Sequence, residues 1–175
     1  MTAAEVAGAE RNGGYTGAGA QPPMTYPSGL LHLLVAGTPT GTEYFRWGEC
    51  ALEHGLDSPS LRILAGLGPQ TTWSEAEPYF RRAIAELGIV LPKVDESLRR
   101  LYLREVAGQI SAGEISPADG LERIHRWVLG PLGHPADLSQ WCFLWEGLDP
   151  VGYTELSESE RDALAVAAAK ALDAL

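Results

Sequence analysis

The chain has 175 residues, of which 45% are hydrophobic and 21% charged, a composition typical of a globular protein with a packed core. Its 23 acidic residues outnumber its 13 lysines and arginines, so the formal net charge is -10. Because clustered lysine and arginine bind phosphate groups, this balance argues against a nucleic-acid partner and against adsorption to an anionic membrane surface.

The cysteine spacing and the length of the apolar stretches indicate the cellular compartment of the protein. Cys50 and Cys142 lie far apart in the sequence and form no metal-binding spacing, which is typical of free thiols in a reducing environment. The N-terminus lacks the basic and apolar regions of a signal peptide. The longest apolar stretch, residues 30–37, is far shorter than the ~20 residues needed to cross a bilayer. We therefore expect a cytoplasmic protein with no membrane partner.

The first 25 residues differ in composition from the rest of the chain. Residues 1–25 are rich in Ala, Gly, Thr and Pro and show no hydrophobic periodicity, which predicts a flexible, disordered tail. The glycines within residues 13–19 follow no strand pattern and precede no Lys-Ser or Lys-Thr pair, so a phosphate-binding loop is not supported. We assign residues 26–175 to a single helical domain.

The first half of that domain carries repeated helix punctuation. Polar N-caps precede apolar residues at three- and four-residue spacing, and glycines follow them. The predicted start sites are Thr25 or Ser28, Thr42, Asp57-Ser58-Pro59, and a capping box formed by Ser74 and Glu77. The only β-like run, residues 89–91, is short and lies between two helical patterns, so we interpret it as a connector.

The second half repeats the same pattern. Its predicted start sites are Asp95, Ser116, Asp137, and a capping box formed by Ser157 and Glu160. The helix that starts at Ser116 is predicted to end at Gly130-Pro131. Together these signals predict an all-α fold, a single compact domain of about eight short-to-medium helices.

The search for chemistry yields no catalytic residue, no cofactor site and no metal site. No nucleophile signature such as GxSxG or SxxK occurs. His32 and His134 are expected to be structural, and His54 fits the last turn of a helix. Glu122 and His125 have the Glu-x-x-His spacing of helical di-iron sites. No other glutamate is followed by a histidine three residues later, so a surface ion pair is favoured.

Negative charge is concentrated near the C-terminus. Residues 145–175 contain seven acidic residues against Arg161 and Lys170, so they hold five of the ten net negative charges. Trp145 lies at the start of this region, and Trp141 lies just before it. Aromatic side chains beside charge of one sign can anchor and steer a protein partner. The same spacing of the two tryptophans is also typical of a buried helix stripe, in which the acids simply face water.

Two stretches carry a resemblance. Residues 57–67 (DSPSLRILAGL) and 113–124 (GEISPADGLERI) resemble sequences of a group of small, helical bacterial proteins of uncharacterised function. The resemblance covers residues 42–175 and excludes the tail. It implies a helical fold and a bacterial cytoplasmic origin, and it implies no activity and no functional residue.

The leading hypothesis is a non-enzymatic interaction protein of the immunity or adaptor type. Its acidic, aromatic C-terminal surface would bind a basic protein partner, and its candidate residues are Glu155, Glu158, Glu160, Trp141 and Trp145.

Two alternatives remain open at this point. The first is a small-ligand-binding or enzymatic helical domain with a pocket near His125, Trp127 and Trp141. The second is an obligate oligomer whose exposed aromatic residues form a self-interface. In the first alternative the tryptophans border a ligand pocket, and in the second they contact another copy of the chain, whereas in the leading hypothesis they contact a basic protein partner.

Overall fold

The computed structural model describes residues 29–149 and 154–173. Within these ranges the chain is all-α, as predicted, and its one extended pairing is an isolated antiparallel bridge between Leu148 and Glu155. None of the helices in these ranges is both long enough and apolar enough to span a membrane. The predicted tail, residues 1–25, lies outside the described residues.

The helices follow one another through short connections. They are α1 (Leu30–Ala36), α2 (Gly41–Glu53), α3 (Pro59–Gly66), α4 (Trp73–Glu86), α5 (Glu96–Ser111), α6 (Pro117–Ile124), α7 (Gly130–Leu132), α8 (Ser139–Glu146) and α9 (Glu158–Asp173). A π-helical turn, His125–Leu129, joins α6 to α7, and a 3₁₀ turn, Ala136–Leu138, leads into α8. Residues 89–91 belong to neither a helix nor a strand, which confirms the predicted connector.

Several predicted helix starts are confirmed by their capping hydrogen bonds. Ser58, Asp95 and Ser116 are N-caps whose side chains accept a hydrogen bond from the backbone N–H three residues later. The box before α9 is also present, because the Ser157 N–H donates to Glu160 Oε2 at 3.0 Å and the Glu160 N–H donates back to Ser157 Oγ at 3.4 Å. These starts depend on bonds within four residues, so the local sequence suffices to predict them.

The predicted start of α2 is wrong by two residues. Thr40, not Thr42, is the N-cap, and Glu43 completes its capping box by accepting the Thr40 N–H at 2.6 Å. Thr42 Oγ1 instead donates to the Pro69 carbonyl at 2.7 Å, which ties the start of α2 to the chain before α4. The hydroxyl that caps the helix is the one with a glutamate three residues later, the spacing that a capping box requires.

The starts of α4 and α8 also differ from prediction. Thr72 replaces Ser74 as the N-cap of α4, and the Thr72 N–H donates to Glu75 Oε2 at 2.9 Å, the role predicted for Glu77. The N-cap of α8 is the last residue of the 3₁₀ turn, not Asp137. The carboxylate of Asp137 accepts a 2.7 Å hydrogen bond from Arg100 on α5. Asp137 therefore forms an ion pair with another helix instead of the expected cap.

The helix predicted to end at Gly130-Pro131 continues to Leu132. Its backbone widens into the π turn, where the Gly130 N–H donates to the His125 carbonyl five residues earlier. Pro131 then lies in the first turn of α7, where a missing N–H is tolerated. The end comes at Gly133, whose φ of 71° is a left-handed conformation that favours glycine.

The buried side chains form two clusters, and α1 lies between them. The N-terminal cluster is enclosed by α2, α3 and α4, and the C-terminal cluster is formed mainly by α5, α6, the π turn, α8 and α9. Leu30 and Leu33 of α1 belong to the N-terminal cluster, whereas Leu31 and Val35 belong to the C-terminal cluster. Both sides of this short helix are therefore covered, and its one polar side chain is held where the two groups of helices meet.

Candidate functional site

The two tryptophans predicted as partner anchors lie in different environments. Trp141 is 1% exposed and packs in the C-terminal cluster, so its side chain is not available at the surface. Trp145, one turn later on α8, is 37% exposed. On a helix that packs on one side only, two residues four apart can differ in burial, because one can lie at the centre of the buried face and the other at its edge. Of the two, only Trp145 can contact a partner directly.

Trp145 is partly covered by a histidine from the π turn. The rings of His125 and Trp145 are stacked, with centroids 4.5 Å apart and planes 10° apart, and the His134 ring lies 5.6 Å from His125. The predicted ion pair between Glu122 and His125 is not formed in the described part of the chain. The helix is still regular at His125, whose N–H donates to the Leu121 carbonyl four residues earlier, and the imidazole packs on Trp145 instead.

A short antiparallel pairing brings the acidic segment to the end of α8. The Leu156 N–H donates to the Gly147 carbonyl at 2.8 Å, and the Asp149 N–H donates to the Thr154 carbonyl at 2.9 Å. Glu155 therefore lies opposite Leu148, three residues from Trp145 in the chain. The backbone thus places Glu155 beside the residues that follow α8.

The three predicted glutamates are all exposed, but they differ in their bonds. Glu155 and Glu158 point into solvent, and Glu158 lies in the first turn of α9, where a negative charge is favoured by the helix dipole. The hydrogen bonds from the Ser157 side chain and backbone hold the pKa of Glu160 below its ordinary value. Glu160 is thus both a capping residue and a source of surface charge.

A polar site that the sequence did not predict lies where α1, α2 and α5 meet. His32 Nε2 is 3.1 Å from Glu43 Oε1, and His32 Nδ1 is 2.8 Å from the Tyr102 hydroxyl. Burial raises the pKa of Tyr102 well above its ordinary value, so the phenol keeps its proton. The consistent hydrogen-bond pattern has the Tyr102 O–H donating to Nδ1 and the His32 Nε2–H donating to the carboxylate.

Glu43 joins this chain of hydrogen bonds to the start of α2. Burial alone would raise the pKa of Glu43, but hydrogen bonds from the Thr40 backbone, from His32 and from the Thr40 hydroxyl outweigh it, so the pKa of Glu43 is lowered. One carboxylate therefore caps α2 through Oε2 and binds α1 through Oε1. The arrangement connects both groups of helices through His32.

A second and more buried carboxylate, that of Glu105, lies one turn after Tyr102 on α5. Burial raises the pKa of Glu105, while the Gly29 N–H, 3.5 Å from its Oε1, and the positive charge of Arg123 oppose that rise. Gln109 donates to the same oxygen at 3.5 Å and accepts from Arg123 Nη1 at 3.5 Å. Arg123 of α6 is therefore directed toward α5 rather than away from the molecule.

His32, Glu43 and Arg123 border a pocket of about 220 Å³. The π turn contributes Arg126, whose guanidinium lies 4.8 Å over the ring of Trp127. A neighbouring pocket of about 250 Å³ shares two of its lining residues. The residues that line the first pocket are His32, Glu43, Asp119, Glu122, Arg123, Arg126 and Trp127. We call it the His32 pocket.

The sequence contained part of the signal for the His32 pocket. Asp119, Glu122, Arg123 and Arg126 follow the spacing of one helix face, which is usually a solvated face. The other wall comes from His32 and its neighbours, about 90 residues earlier in the chain, and no local pattern connects the two. Of the residues suggested for a ligand pocket, Trp127 lines this one, whereas Trp141 is in the core and His125 is stacked on Trp145.

A larger and more apolar depression of about 660 Å³ lies where the starts of α2 and α4 converge. Trp73, 53% exposed, forms part of its wall together with the loops around residues 37–42 and 71–72. The hydroxyl of Thr42 is already bonded to the Pro69 carbonyl, and that of Thr72 to Glu75. No charged side chain is among its lining residues.

In residues 29–149 and 154–173 no group of three His, Cys, Asp or Glu side chains could hold a metal ion. Comparison with protein-family models, curated proteins and solved structures finds no match for this chain. The resemblance of residues 57–67 and 113–124 to small helical bacterial proteins therefore stays a prediction.

Proposed function

We propose that this chain is a bacterial cytoplasmic protein-interaction module, of the immunity or adaptor type and without enzymatic activity. Its acidic surface, formed by Trp145, Glu155, Glu158 and Glu160, would bind a basic protein partner. The observation that carries the proposal is the pairing of residues 147–149 with residues 154–156, because it brings Glu155 beside the end of α8. Trp141 is not part of this surface, since it is buried.

The charge distribution supports a steered association. Residues 145–175 hold half of the net charge of -10, and a one-signed surface raises the encounter rate with a partner of opposite sign. Trp145 offers a partly exposed aromatic ring, held in place by its stack on His125, as a contact at the edge of this charge. Both free thiols, Cys50 and Cys142, are compatible with a reducing compartment.

Affinity capture tests the proposal. The tagged protein would be incubated with a bacterial lysate at about 50 mM and about 500 mM NaCl, because surface charge is screened within about 10 Å at 0.1 M salt. We expect a basic protein, identified by mass spectrometry, to be retained at low salt and released at high salt. The double variant Glu155→Lys/Glu158→Lys should no longer retain this basic protein at low salt. Retention that is independent of both salt and this variant would contradict the proposal.

A matched control distinguishes a local surface from the overall charge. Glu49→Lys/Glu53→Lys makes the same change in charge on the exposed face of α2. It should leave capture close to that of the unmodified chain, apart from a uniform effect of net charge. Sedimentation over a range of concentrations tests the remaining alternative, an obligate oligomer whose exposed aromatic residues contact a second copy of the chain.

A further inference from the structure

Three charged side chains at the His32 pocket form no ion pair in the described part of the chain. No carboxylate lies within 4.0 Å of Arg123 or Arg126 there, and Glu122 forms neither an ion pair nor a hydrogen bond. All three side chains line the same pocket.

Their surroundings differ from those of ordinary surface charges. Arg123 is half-buried and reaches toward Gln109, and its only hydrogen bond within the described residues is the long one of 3.5 Å to that amide. Arg126 is held over Trp127, which leaves guanidinium N–H donors available at the edge of the pocket. Trp127 provides an apolar wall, and its ring lies 6.3 Å from that of His32, which with Glu43 also lines the pocket. The pocket is therefore preorganised by packing and by bonds that do not use these donors.

Size and charge together limit what this pocket can take. The pocket volume of about 220 Å³ is below the roughly 300 Å³ at which pockets for drug-sized ligands begin, so the pocket suits a smaller molecule. A simple anion would meet the carboxylates of Glu43, Asp119 and Glu122, and a simple cation would meet two arginines. A small molecule that carries both signs satisfies both sets of groups.

We propose that the His32 pocket binds a small zwitterion of the free α-amino acid class. Its carboxylate is held by Arg123 and Arg126, since planar guanidinium groups match carboxylate geometry, and its ammonium group is held by Glu122. A side chain of one to three heavy atoms packs against Trp127. The proposal does not depend on the acidic surface, which lies on other residues, so either can fail without the other.

Isothermal titration calorimetry with L-alanine, L-serine, L-threonine and L-valine, each at up to about 10 mM, tests the proposal. We expect saturable binding of at least one of them and a concentration-dependent rise in melting temperature. The amide and the N-acetyl derivative of that amino acid lose one charge each and should bind at least about tenfold more weakly. No binding by any of the four, or equal binding of either derivative, would overturn the zwitterion assignment.

Variants locate the site. Arg126→Gln and Glu122→Gln change exposed side chains and should each weaken binding at least about tenfold. Arg104→Gln and Glu114→Gln make the same chemical changes at exposed positions outside the pocket and should leave binding unchanged. Equal weakening by the controls, or unaltered binding in both pocket variants, would contradict the assignment. A third variant is Arg123→Gln. Because Arg123 is half-buried, its binding result is interpreted together with a circular dichroism spectrum that shows whether the variant is folded.

Discussion

The guanidinium of Arg99 on α5 donates a 2.6 Å hydrogen bond to the carbonyl oxygen of Trp127 in the π turn. This carbonyl lies four residues before Pro131, so proline leaves it without the N–H that a regular helix would supply. A side chain from another helix therefore replaces a missing backbone donor. The bond also connects α5 to the segment that carries Arg126 and Trp127, two walls of the His32 pocket.

Replacing Arg99 by Met should destabilise the protein by about 1.5–3 kcal/mol, the usual range for a hydrogen bond that involves a charged group. Urea denaturation measures the change. In a Pro131→Ala background the residue 131 N–H becomes available to the same carbonyl, so the effect of Arg99→Met should fall by at least about 1 kcal/mol. Additive effects of the two substitutions would show that Arg99 does not act through this carbonyl. Arg104→Met, at an exposed position of the same helix, should change stability by less than about 0.5 kcal/mol.

His32→Leu should reduce the free energy of unfolding by about 1–3 kcal/mol, because the Tyr102 hydroxyl, on a residue only 1% exposed, loses its acceptor. Chemical denaturation at neutral pH provides the measurement. Adding Tyr102→Phe to His32→Leu removes the orphaned hydroxyl and should recover part of the loss. The prediction is contradicted if the two losses of unfolding free energy simply add. In that case the double variant is less stable than His32→Leu by as much as Tyr102→Phe destabilises the unmodified chain, and the two side chains do not depend on each other.

Glu105→Gln should stabilise the protein at neutral pH. Because burial raises the folded-state pKa of Glu105 above the ordinary value of 4.5, its ionisation is disfavoured in the folded chain. Its contribution to stability is fully present below the unfolded pKa and is lost as the pH rises through the folded pKa. The advantage of the glutamine variant should therefore appear as the pH rises above that ordinary value, and it should level off once the pH exceeds the folded-state pKa. Thermal unfolding from about pH 4 to pH 8 tests it, with Glu49→Gln as the exposed control.

Gly41→Ala and Gly66→Ala should have opposite effects, although both glycines are helical. A Cβ at Gly41 would overlap the carbonyl oxygen of Thr71, which is backbone and cannot move aside cheaply, so we expect a loss of about 1–3 kcal/mol. A Cβ at Gly66 meets nothing within 4 Å, so the lower backbone entropy of alanine should add about 0.4–1 kcal/mol. Melting temperatures of the two variants compare them directly. A neutral Gly41→Ala would mean that the start of α2 does not pack closely on residues 71–72.

Helix starts were predictable where the expected capping side chain bonds to its own first turn. Ser58, Asp95, Ser116 and the Ser157 box were placed correctly, since each side chain accepts a hydrogen bond from the backbone N–H three residues later. At α2 two threonines lay within three residues, and the helix begins at the one whose spacing to Glu43 completes a box. The Gly130-Pro131 stop failed because a π turn and Arg99 together accommodate the proline inside a longer helical segment.

The amino-acid sequence by itself determined the all-α class, the starts of four helices and the concentration of acid near the C-terminus, because these depend on composition and on bonds between residues a few positions apart. Only the tertiary structure decided that Trp141 is buried while Trp145 is exposed, and that His32 lies between Glu43 and Tyr102. The partners in the His32 pocket come from segments up to about 90 residues apart. Such pairs depend on how two helix groups pack around α1, and no pattern within one helix encodes that packing.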